Sequence, residues 1–189
     1  LALISQAFRL MWVLTVITVV IGIVYRVPIM SFLYHESTQT WADTFGLLIL
    51  SFIAIGLMYV FGTYMTARGE LKSQNILYSS CVVLNIVLNF ILIPDYGAYG
   101  AAVATLATQS VATLSLSFMS LRRLRPSSDL ALMIRAIAFA LLSGIIVIGL
   151  NGVVPGLHWI FEIAAFVPCI LALAFVIGFI KLSELKGFL

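Results

Sequence analysis

The sequence predicts an all-α, polytopic bundle of about six transmembrane helices, and three observations predict it. Of 189 residues, 63% are apolar and only 9% charged, at a mean hydropathy of +1.19. A soluble domain normally carries about a quarter charged residues. Six apolar segments are each long enough to cross a hydrocarbon layer about 30 Å thick, which takes roughly 20 helical residues. The basic residues also collect in alternate connections, the pattern left when Lys and Arg are retained on the cytoplasmic side during insertion.

The segments are residues 10–33, 44–65, 76–93, 98–121, 132–153 and 159–180, with no soluble domain or long linker between them. Arg9 precedes the first segment, Arg68 and Lys72 join the second to the third, Arg122, Arg123, Arg125 and Arg135 flank the link to the fifth, and Lys181 and Lys186 follow the sixth. The other connections hold His35, Glu36, Asp43, Asp95 and His158, and no Lys or Arg. Both ends are therefore expected on the cytoplasmic side of a plasma (inner) membrane. Trp12, Tyr34, Trp41, Tyr96 and Trp159 fall near the predicted helix ends, where amphipathic rings favour the interface. The net charge of +3 thus reads as topology, and nucleic acid is not an expected partner.

Cys81 and Cys169 lie inside apolar runs, as small hydrophobes do, without disulfide or metal spacing. No metal and no cofactor is expected. Leu1 stands where a Met would open a complete chain, and no signal peptide precedes the first segment. The expectation is a membrane-embedded fragment of a longer protein.

The third and fourth segments meet at Pro94-Asp95-Tyr96-Gly97. Pro94 lacks an amide hydrogen and disfavours helix at Ile93, and Gly97 tolerates positive φ, so a tight helical hairpin is expected. Gly100, Ala101, Ala102 and Ala104 follow, small side chains that let another helix backbone approach closely.

The stretch from Asn85 to Thr105, with Asn89, Pro94, Gly97, Gly100, Ala101 and Ala104 at their spacing, resembles the C-terminal half of the polysaccharide biosynthesis transporters. These are the O-antigen and lipid-linked oligosaccharide flippases, relatives of the multidrug and toxin extrusion antiporters. The resemblance implies that residues 1–121 are a partial second lobe, entered two helices in, and that 122–189 add a C-terminal helix pair. It also implies a transporter rather than an enzyme, with an N-terminal lobe, membrane lipids and a lipid-linked sugar as partners.

Four residues are then candidate substrate contacts: Arg26, Asn85, Asn89 and Gln109. Arg26 lies about 25 Å along a helix from Arg9, near the outer edge of the hydrocarbon. It reads as an interfacial anchor or as a guanidinium that binds the substrate's pyrophosphate. Asn85 and Asn89 share a helix face, and their carboxamides need partners, either Thr105, Thr108 or Gln109 on the next helix or sugar hydroxyls. Gly56, Gly62, Thr63, Tyr64 and Thr66 on the second segment suit close packing or a wet wall, and Gly69 is the expected hinge of the turn after it. Glu162 belongs to the first turn of the last helix, where a carboxylate suits the dipole.

Two rivals differ in what they need. A multidrug or cation antiporter calls for central acids, and no Asp or Glu occupies the middle of a segment. A membrane-embedded glycosyl or acyl transferase calls for a gathered nucleophile, base or metal set, whereas His35 and His158 stand in separate connections.

Overall fold

The computed structural model describes residues 2–34, 36, 38–124, 130–151 and 159–179. Every regular element among them is a helix: α1 Ala2–Val24, α2 Arg26–Leu33, α3 Gln39–Ala67, α4 Leu71–Leu124, α5 Leu130–Asn151 and α6 Trp159–Val176. Four stretches are long and apolar enough to cross a membrane, Ser5–Val24, Gln39–Ala67, Leu71–Arg122 and Trp159–Val176, with a shorter apolar helix at Ile134–Gly149. His35, His158, Arg125, Lys181 and Lys186 lie outside the described residues.

Several boundaries differ from the sequence expectation, each for a local reason. The first segment is not one helix over 10–33: α1 ends at Val24 and α2 begins at Arg26. Pro28 explains the break. Its missing N–H cannot reach the Val24 carbonyl, whereas at the third residue of a new helix that donor would be orphaned anyway. Helix α3 overruns the 44–65 estimate at both ends, because the hydrocarbon ruler measures the lipid and not the helix. Its end is a Schellman turn in which Gly69 takes φ 74°, Gly69 N–H donates to Thr66 O at 2.9 Å and Glu70 N–H to Met65 O at 3.1 Å. The same motif ends α6, with Gly178 at φ 67°, Gly178 N–H donating to Phe175 O at 2.9 Å and Phe179 N–H to Ala174 O at 3.0 Å.

The chain forms two compact units, Leu1–Tyr25 with Ser127–Leu189, and Arg26–Pro126. In the first, α1 packs on α5 and α6. Val13, Val16 and Val19 of α1, Phe139, Ser143 and Val147 of α5, and Phe166, Ile170 and Ala174 of α6 are buried, each set at the three- and four-residue spacing of one helix face. Trp12 is not at a helix end; its indole Nε1–H donates to Ala136 O at 3.0 Å. The buried Tyr25 hydroxyl donates to Glu162 Oε2 at 2.7 Å, tying the end of α1 to the first turn of α6. The Phe139 and Phe179 rings stack at 5.9 Å.

In the second unit, α2 and α4 both pack against α3. Helix α4 is a hairpin. Its only non-helical residue is Gly97, at φ 55° and ψ −133°, a conformation essentially confined to glycine. The expected stop at Ile93 does not occur: Pro94, Asp95 and Tyr96 remain helical, and Gly97 alone reverses the chain. Just beyond, a Cβ on Gly100 would lie 2.7 Å from the Leu92 carbonyl carbon and 3.1 Å from Leu92 Cβ. The arms thus touch backbone to backbone, and Ala102 and Ala104 are buried. Lys72 and Arg122 each lie 25 residues from Gly97, near the far ends of the two arms.

Candidate functional site

A concavity of about 340 Å³ is walled by Tyr78, Cys81, Val82, Asn85 and Ile86 of the first arm, Thr105, Thr108, Gln109 and Ala112 of the second, and Met58 of α3. Twelve residues separate Asn85 from Gly97, about 18 Å of helix at 1.5 Å per residue.

The arms are joined across this level by side chains. Asn85 Nδ2 donates to Thr108 Oγ1 at 3.1 Å, and Asn85 Oδ1 accepts from Asn89 Nδ2 at 2.9 Å. Thr108 in turn shares its hydroxyl proton between the Ala104 and Thr105 carbonyls, at 2.8 and 3.0 Å. Of the three partners open to Asn85 on sequence grounds, the structure selects Thr108. Asn89 does not line the cavity, and its Oδ1 is buried without a hydrogen-bond partner among the described residues. Interhelical hydrogen bonds of this kind contribute about 0.6 kcal/mol each within a membrane.

A second polar chain reaches the cavity from the Gly69 turn. Thr66 Oγ1 donates to Gln74 Oε1 at 3.1 Å, and Gln74 Nε2 donates to the Tyr78 hydroxyl at 3.1 Å. Gln74 is buried, and this chain satisfies its carboxamide. Gly62 gives it space, since a Cβ there would come 3.1 Å from the Tyr78 hydroxyl and 3.2 Å from Gln74 Nε2. A third tie, Thr113 Oγ1 to Ala54 O at 2.7 Å, fixes the second arm to α3.

The sequence reading missed Gln74 and Tyr78. The signal was present: Gln74, Tyr78, Cys81, Asn85 and Asn89 recur every three or four residues and so form one polar stripe on the first arm. The outward face of the arm carries exposed Ile76, Val83, Val87 and Phe90.

Arg26 stands apart from the cavity. Its Nε donates to Asp43 Oδ1 at 3.0 Å, with both side chains partly exposed, and Gln39 Nε2 reaches the same oxygen at 3.1 Å. Gly46 leaves room for the stem, its absent Cβ being 3.2 Å from Arg26 Cδ. Exposed ion pairs contribute about 0–1 kcal/mol. Arg26→Gln is therefore expected to change the unfolding free energy by less than about 1 kcal/mol, readable as a thermal midpoint in detergent. A large shift would mean that the pair anchors α2 to α3.

Thus Asn85 and Gln109 line one cavity, Asn89 supports it, and Arg26 is paired with Asp43 elsewhere in the unit. Comparison with protein-family models, curated proteins and solved structures finds no match for this chain.

Proposed function

We propose that this chain is part of a secondary transporter that moves a lipid-linked oligosaccharide, or a related polysaccharide precursor, from the inner to the outer leaflet of the cytoplasmic membrane. In this reading the chain crosses six times, with the two arms of α4 as separate crossings and both ends on the cytoplasmic side. The arms, α3 and the unit built on α1, α5 and α6 belong to a two-lobed machine that exposes a central polar cavity to alternate sides.

The observation that carries this reading is the uncharged polar wall of the cavity, set in a hairpin whose arms are otherwise apolar. Carboxamides and hydroxyls in hydrocarbon are costly unless they serve packing or a polar ligand. The hairpin uses some for packing and leaves others facing open space. A hydroxyl-rich headgroup meets complementary donors and acceptors there while its polyprenyl tail stays in lipid. A cationic drug meets no carboxylate in that wall, which favours the sugar lipid over the antiporter reading.

Reconstitution tests it. Liposomes holding the full-length protein should move a fluorescent polyprenyl-pyrophosphate oligosaccharide across the bilayer at least about ten-fold faster than protein-free liposomes, about 1.4 kcal/mol of barrier. Quencher access from outside reports the movement. A rate equal to that of empty liposomes overturns the proposal, and transport of ethidium in place of the sugar lipid replaces it with the antiporter.

A further inference from the structure

The cavity's polar groups divide into those already committed and those still open. Asn85 uses its Nδ2 on Thr108 and its Oδ1 on Asn89, so its role is to hold the arms in register. Thr105 Oγ1 spends its proton on Ala101 O at 2.9 Å and keeps only acceptor capacity. Tyr78 differs: its oxygen accepts from Gln74, so its own O–H is left to donate. Gln109 lines the cavity and makes no hydrogen bond among the described residues, which leaves a carbonyl acceptor and two N–H donors.

From this inventory we infer that Gln109 and Tyr78 are the specificity-determining residues of the cavity and that they select an uncharged, hydroxyl-bearing sugar unit, not the pyrophosphate that joins it to the lipid. The inference rests on the reading of the cavity as a ligand site. A hydroxyl both donates and accepts, so it is matched by a Tyr O–H and a carboxamide together. An ammonium lacks an acceptor for the Tyr proton, and a phosphate leaves the Gln109 carbonyl unmatched and has no cation in the wall to meet its charge. The volume is at the low end of the roughly 300–1,000 Å³ of small-molecule sites, which suits one or two sugar rings.

Cys81 reports on occupancy because it lines the same cavity, and Cys169, exposed on α6, serves as the internal control. The full-length protein in phosphatidylcholine nanodiscs is alkylated with N-ethylmaleimide, and both cysteines are followed by peptide mass spectrometry. Three amphiphiles with one tail are compared at sub-solubilising amounts: dodecyl maltoside, dodecyl phosphate and dodecyltrimethylammonium. The maltoside is expected to slow Cys81 relative to Cys169 by about five-fold, the worth of one or two hydrogen bonds, and the two charged amphiphiles to leave it unchanged.

Gln109→Leu breaks no hydrogen bond described in the fold, and it should abolish the maltoside protection while leaving the unprotected Cys81 rate as it was. Gln109→Glu should transfer protection to the ammonium. Equal protection by all three amphiphiles would mean that only the tail binds, and undiminished protection in Gln109→Leu would remove the residue from recognition; either overturns the inference. Transport assayed separately distinguishes the two proposals: movement of the sugar lipid without Gln109-dependent protection sinks this one alone, and protection without movement sinks the transporter.

Discussion

Replacing Gly100 with alanine is expected to lower the thermal midpoint of the protein by about 10 °C, the equivalent of about 3 kcal/mol. A methyl group at that position would stand 2.7 Å from the Leu92 carbonyl carbon. Backbone, unlike the tip of a side chain, cannot turn aside, so the arms must separate near the turn. Separation would weaken the contacts below it, including the bond from Asn85 to Thr108. Gly144→Ala is the control. Nothing lies within 4 Å of its added Cβ, and alanine is the better helix former by about 1 kcal/mol, so its midpoint should hold or rise. Equal midpoints for the two variants would refute the backbone contact as the source of the hairpin's stability.

Gly62→Leu is expected to cost about 3 kcal/mol and to displace the Tyr78 hydroxyl from the wall of the cavity at the same time. The Cβ alone would come 3.1 Å from the Tyr78 hydroxyl, 3.2 Å from Gln74 Nε2 and 3.6 Å from Leu116 Cδ2. All three are side-chain ends; the first two need give by only a few tenths of an ångström for a methyl group and the third is ordinary contact, so Gly62→Ala should be mild. A leucine displaces the first two, which breaks the chain from Thr66 through Gln74 to Tyr78 and strands the buried Gln74 carboxamide. An unsatisfied buried amide costs about 1–3 kcal/mol. The thermal midpoint reads the first effect and loss of maltoside protection at Cys81 reads the second. A leucine variant as stable as the alanine variant would show that α3 and the first arm are less tightly apposed there.

The helical class and the hairpin were legible because each rests on strong local chemistry. Gly97 is the one residue at the turn that can reverse the chain, and Gly69 the one that can close α3. The register of Asn85 and Asn89 already placed them on one face, and their need for partners named Thr108 among three choices. What was not legible depended on interactions at a distance along the chain. Pro28 marked a kink or an end just beyond Arg26 in the apolar run from 10 to 33, but the break falls three residues upstream of the proline, at Tyr25. Trp12 looked like an interfacial ring until α5 supplied the Ala136 carbonyl as its acceptor. Arg26 read as an anchor or a ligand group; a partner within reach, Asp43, became visible only when α2 turned back onto α3. The stripe from Gln74 to Asn89 was present as a period of three and four residues, and its aromatic and thiol members concealed it as ordinary apolar core.

The bond between Asn85 and Thr108 also sets a condition on assembly. Its two ends lie 23 residues apart on opposite sides of Gly97, so a chain cut before Thr108 holds both carboxamides and lacks the hydroxyl that answers Asn85. The first arm alone therefore has only the pair formed by Asn85 and Asn89, and the second arm is what completes its polar face.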